Sequence, residues 1–121
     1  MQAAGQRRGR GMSDFDTFID AVTAGATTLA KDMLRQGLQE AQEDARTFLK
    51  RTEADLRKWT EALALNKLTP REFADLVDGR ASLATLAALT QLGVARTRLE
   101  RFRVGLIELV IDSAFDTFVP G

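Results

Sequence analysis

The side chains best suited to chemistry in this sequence are its carboxylates. Glu40, Glu43, Asp44, Glu53 and Asp55 fall within one short stretch, and neighbouring acids can act as general acid and base or hold a divalent cation through oxygen. Here they alternate with Arg46, Lys50, Arg51, Arg57 and Lys58, which is the mixed-sign pattern of a solvated helix face. Other catalytic partners are missing. The chain has no His, Cys or Tyr, which removes the usual general base, the thiol nucleophile, thiolate zinc sites, disulfides and the Glu-x-x-His di-metal motif. Its serines are Ser13, Ser82 and Ser113; two stand where helices should start and the third lies in an apolar run. No G-x-x-x-x-G-K-[ST] or G-x-G-x-x-G loop is present to cradle phosphate. The residues therefore point to a protein that is not an enzyme and has neither metal nor cofactor.

The elements that position these residues read as helices. Ser13 with Asp16 forms an S-x-x-D capping pattern, and Phe15, Phe18, Ile19, Val22, Ala26, Leu29 and Met33 then recur at helical spacing. After Gly37 the period resumes through Leu38, Ala41, Ala45, Phe48, Leu49, Leu56, Trp59 and Leu63. The pattern predicts one long helix over about 14–65, with Gly37 as the place for a bend or break. If continuous, it would be roughly 75–80 Å long at ~1.5 Å per residue. Thr69-Pro70-Arg71-Glu72 combines an N-cap threonine, proline at the first helical position and a capping-box glutamate, predicting a short helix over 70–78 with Gly79 as a left-handed cap. Ser82 should cap a second short helix over 83–92, ended by Gly93. A last helix over 94–118, ~37 Å at the same rise, is apolar over most of its circumference and should be the central one. No alternating strand pattern or hairpin turn survives inspection. The fold class is all-α, a helical bundle.

Charge is balanced, with 17 basic and 17 acidic residues, so nothing global points to nucleic acid or an anionic membrane. The balance is uneven along the chain. Arg7, Arg8 and Arg10 lie in a leading segment without acids; removing them leaves 14 basic residues against 17 acidic ones. Residues 1–12 read as a disordered basic extension before a single helical domain over 13–121. The functional alternative is an arm touching nucleic acid, for which three arginines are few. Gly93 to Leu99 loosely follows the start of a helix-turn-helix, but the helix beyond is too apolar for a DNA groove. No run of 18 uncharged apolar residues exists to span a membrane, and no apolar signal region follows the leading arginines. A cytoplasmic location is the default expectation.

Three patterns bear on function. Phe15-Asp16-Thr17-Phe18 is echoed by Phe115-Asp116-Thr117-Phe118, each followed by a β-branched residue, Ile19 and Val119. The plain reading is coincidence between two amphipathic turns; the sharper one makes these six positions anchors of an assembly contact. Arg96, Arg98, Arg101 and Arg103 open the last helix and Glu108, Asp112 and Asp116 follow four residues apart, a placement that opposes the helix dipole. The long helix runs acid then base between Glu40 and Lys58, so charge matching favours the two helices lying parallel, the alternative being unpaired solvated charges. The uncharged stretch from Ala21 to Ala30, rich in small residues, suits a tight helix crossing, with a helix lying on lipid as the minority reading.

A continuous first helix would carry an apolar stripe too long for the last helix to cover. Either the chain folds back near Gly37 or a second chain completes the cover. The expected function is a non-catalytic helical interaction module, a self-associating scaffold, adaptor or accessory protein, with the chain itself as first partner and another protein as a further one. The alternative is an amphipathic coat on lipid or hydrophobic granules.

Overall fold

In a computed structural model, residues 13–119 are described; they form six α-helices and one 3-10 turn, with no strand among them. The helices are α1 (Asp14–Met33), α2 (Leu38–Arg51), α3 (Glu53–Ala64), α4 (Pro70–Asp78), α5 (Ala87–Leu92) and α6 (Arg96–Phe118), with the 3-10 turn at Ala81–Leu83. The expected basic extension over residues 1–12 lies outside the described residues.

The first helix begins as its sequence predicts. Ser13 Oγ accepts from the Asp16 amide at 3.1 Å, and Asp16 accepts in return from the Ser13 amide. It is not a continuous rod to residue 65. Arg35 takes a left-handed backbone (φ 57) and its amide reaches back to the Ala30 carbonyl at 2.9 Å, closing the helix end. Gly37 is also left-handed (φ 68) and starts α2, which turns back along α1. A second interruption falls at Thr52, whose buried hydroxyl donates to the Phe48 carbonyl at 2.8 Å. The Thr52 amide shares that carbonyl at 3.1 Å, and α3 restarts one residue later.

Folding back covers the apolar stripe within one chain. Phe18, Val22, Ala26, Ala30, Ala41, Ala45, Phe48 and Leu56 are all buried. The length argument for a second chain, which required a continuous helix, therefore falls away.

Thr69 and Glu72 make the reciprocal cap of α4 at 3.0 and 2.9 Å, with Pro70 in the first turn. Gly79 ends the helix with a right-handed backbone (φ −65), not the left-handed one expected, and the Arg80 amide closes a short turn onto the Val77 carbonyl at 2.9 Å. The helix expected over 83–92 is also shorter. Ser82 belongs to the 3-10 turn, Leu86 is left-handed (φ 54), and α5 covers only Ala87–Leu92. Gly93 (φ 96) ends it, as expected, and α6 starts at Arg96, two residues later than the period implied.

α6 is the central helix, packed on α1, α3, α4, α5 and the 3-10 turn through Phe102, Leu106, Ile107, Val110 and Ala114. Against α1 it lies antiparallel: Phe118 meets Phe18, Leu109 meets Gly25, and Gly105 meets Leu29. The last two contacts are reciprocal, a leucine of each helix seated on a glycine of the other. A Cβ on Gly25 would stand 2.6 Å from Leu109 Cδ1, and one on Gly105 would stand 2.9 Å from Leu29 Cδ2. The small residues of α1 thus serve a close helix crossing. α2 and α6 both run against α1 and so share one sense, but they pack on α1 rather than on one another, so the charge matching expected between them is not what sets that direction.

Candidate functional site

The two ends of the described chain meet. Phe15 and Phe18 at the start of α1 lie 5.7 Å apart, Phe18 stacks edge-on against Phe118 at 5.8 Å, and Phe115 lies 6.1 Å from Phe73 of α4. The FDTF echo is therefore a contact inside one molecule. Of the six expected anchors, Phe15 and Phe18 are buried, whereas Ile19, Phe115, Phe118 and Val119 are half-buried and packed against the core. An aromatic pair of this kind adds about 0.5–1.5 kcal/mol beyond the area it buries.

Beside this aromatic end, α1, α2 and the start of α3 leave a groove of about 280 Å³ between α1 and α2. Phe15, Ile19 and Leu49 provide its apolar lining, and Asp16, Arg46, Lys50, Glu53 and Arg57 its charged one. Arg57 lies over the Phe15 ring, 4.2 Å from its centre, and donates to Glu53 at 3.0 Å. Asp16 is engaged in the cap of α1. No acid pairs with Arg46 or Lys50 among the described residues, and both side chains are exposed. Phe15 and Leu49 are themselves buried, so half-buried Ile19 is the main apolar group the groove presents, beside two cations one helical turn apart and the carboxylates of Asp16 and Glu53.

The charges expected to set helix register do something else. Ion pairs join Arg57 to Glu53, Arg80 to Asp55 and Arg103 to Glu100; none among the described residues links α2 or α3 to α6. Arg96, Arg98 and Arg101 are exposed, as are Glu108, Asp112 and Asp116. Arg103 instead donates through Nε to the Ala84 carbonyl at 2.8 Å. From the other side, Arg51 donates to the Leu83 carbonyl at 3.1 Å and to Thr85 Oγ1 at 3.0 Å. Two arginines from different helices thus satisfy the polar backbone of the connector before α5. Glu100, held by Arg103, has its carboxyl below the ordinary glutamate range, first because of that hydrogen bond and then because of the guanidinium charge.

Asp44 departs most from its expected role. It is buried, and its two oxygens accept from the Ala88 amide at 3.0 Å and the Leu89 amide at 2.9 Å. The carboxylate of α2 thereby caps α5, which has no capping side chain of its own. A sequence signal exists: Ala41, Asp44, Ala45 and Phe48 share the inward stripe of α2, so Asp44 stands on the apolar side. The groove residues Arg46, Leu49 and Lys50 gave no comparable signal, because their partners on α1 are set by the fold-back.

Among the described residues no three His, Cys, Asp or Glu side chains cluster as a metal site would need. No helix of the described residues is long and apolar enough to cross a membrane. The chain matches no family model, no curated protein and no solved structure.

Proposed function

We propose that this chain is a non-catalytic helical interaction module of the cytoplasm that self-associates as a scaffold, adaptor or accessory protein. The supporting observation is the α1–α2 groove, where Phe15, Ile19 and Leu49 lie beside exposed Arg46 and Lys50, which make no ion pair among the described residues. Apolar surface ringed by charge is the usual composition of a protein contact. Of the expected anchors, Phe15 and Ile19 line it; Phe18 acts through the core beneath.

Light scattering of the full chain over a dilution series tests the proposal. The expected result is a mass above one chain that falls on dilution, lowered further by Ile19→Glu with helicity retained. A mass of one chain at every concentration would refute self-association. The lipid-coating alternative has less support, since it requires the apolar faces of α1 and α6 to leave one another. Its own test is co-sedimentation with neutral and anionic vesicles, and binding to neither rejects it.

A further inference from the structure

We infer that the α1–α2 groove receives the outer edge of α6 from a second copy, joining chains head to tail. The inference rests on the self-association proposed above and specifies its contact. On the α6 edge, Ile111, Phe115 and Val119 form a half-buried apolar row at four-residue spacing. Alongside runs an exposed acidic row, Glu108, Asp112 and Asp116, also four residues apart and without an ion-pair partner among the described residues. The groove presents half-buried Ile19 over buried Phe15 and Leu49, beside Arg46 and Lys50, again four apart; its own carboxylates are engaged, Asp16 by the α1 cap and Glu53 by Arg57.

Residues four apart on a helix are neighbours, with Cβ atoms about 5–6 Å apart. The cationic and acidic rows therefore share one step. Charge also selects against the symmetric arrangements. Groove on groove would face Arg46 and Lys50 with themselves, and α6 on α6 would face acid with acid; like charges brought together at an interface oppose binding. Groove and edge are different surfaces of one molecule, so a single head-to-tail contact leaves one groove and one edge free and extends beyond two chains, whereas two reciprocal contacts would close a dimer.

The test uses the full chain, an Arg46→Glu/Lys50→Glu variant and an Asp112→Lys/Asp116→Lys variant, with circular dichroism to verify helicity. The wild-type mass should exceed two chains as concentration rises and should fall in about 0.5 M salt, where exposed charges are screened within a few ångströms. Each variant alone should associate at least about tenfold more weakly. An equimolar mixture should recover association, because the substituted pair of each variant then meets an opposite pair on the other. If a double variant loses helicity, Lys50→Glu and Asp112→Lys singly replace the pair. Wild-type association that stops at two chains, or a mixture that fails to recover, would overturn the head-to-tail contact while leaving self-association standing. A wild type of one-chain mass throughout would overturn both.

Discussion

At the scale of single residues, a carboxylate kept inside a fold needs hydrogen-bond donors, and Asp44 finds two on the first turn of α5. Replacing it with alanine leaves the Ala88 and Leu89 amides without that acceptor. Asp44→Ala should destabilise the protein by about 1–3 kcal/mol in denaturant titration, with faster amide exchange over 84–92. Unchanged stability and exchange would mean that α5 needs no cap from α2. Glu100 offers a test of a different kind. Its folded carboxyl is lowered by Arg103, so its contribution to stability is complete above the ordinary glutamate range and lost as pH falls through the lowered folded value. In an NMR titration Glu100 should ionise below the ordinary glutamate range, and Arg103→Gln should return it towards that range. A Glu100 titration unaffected by Arg103→Gln would dismiss the pairing.

Among the elements, the turn between α1 and α2 depends on Gly37. Its φ of 68 disfavours a side chain, and an added Cβ would stand 2.8 Å from Leu92 Cδ2 and 3.0 Å from Leu89 Cδ2. Gly37→Ala should therefore lose at least about 1–2 kcal/mol from the backbone alone, read as a lower unfolding midpoint; no loss would show that this turn tolerates a Cβ. The α1–α6 crossing has a similar constraint. Gly25→Val would drive branched carbons into Leu109, and overpacking of this kind costs about 1–3 kcal/mol. A Gly25→Val protein as stable as wild type would argue against the reciprocal leucine seats. Both Gly37 and the Ala21–Ala30 run stood out in the sequence, the first as a place to break and the second as a place for close approach. Their partners Leu92, Leu89 and Leu109 did not, because each is brought there by a helix distant in the chain.

Over the whole molecule, the beginning and end of the fold are mutually dependent. Phe18 is fully buried and touches Phe118, while Val22, Ala26 and Ala30 pack in the same core as Phe102, Leu106 and Val110. Ending the chain after Asp112 would remove buried Ala114 and the aromatic contacts of Phe115 and Phe118. That truncation should leave no cooperative thermal transition when unfolding is followed by circular dichroism; a sharp transition retained would mean that the aromatic end is dispensable. The sequence by itself determined the all-α class, the caps at Ser13 and Thr69, the stop at Gly93 and the central place of α6. Those features arise from neighbours within a few residues or from the proportion of apolar surface on one helix. Only the tertiary structure decided that the first helix folds back, that Asp44 caps α5 and that Arg51 and Arg103 hold the connector. The FDTF echo likewise became a meeting of chain ends only in three dimensions. The physical reason is range: helix periodicity and capping act over one or two turns, whereas these contacts join residues distant in the chain that only the packing of α2 on α1 and α5, and of α6 on α1, brings together.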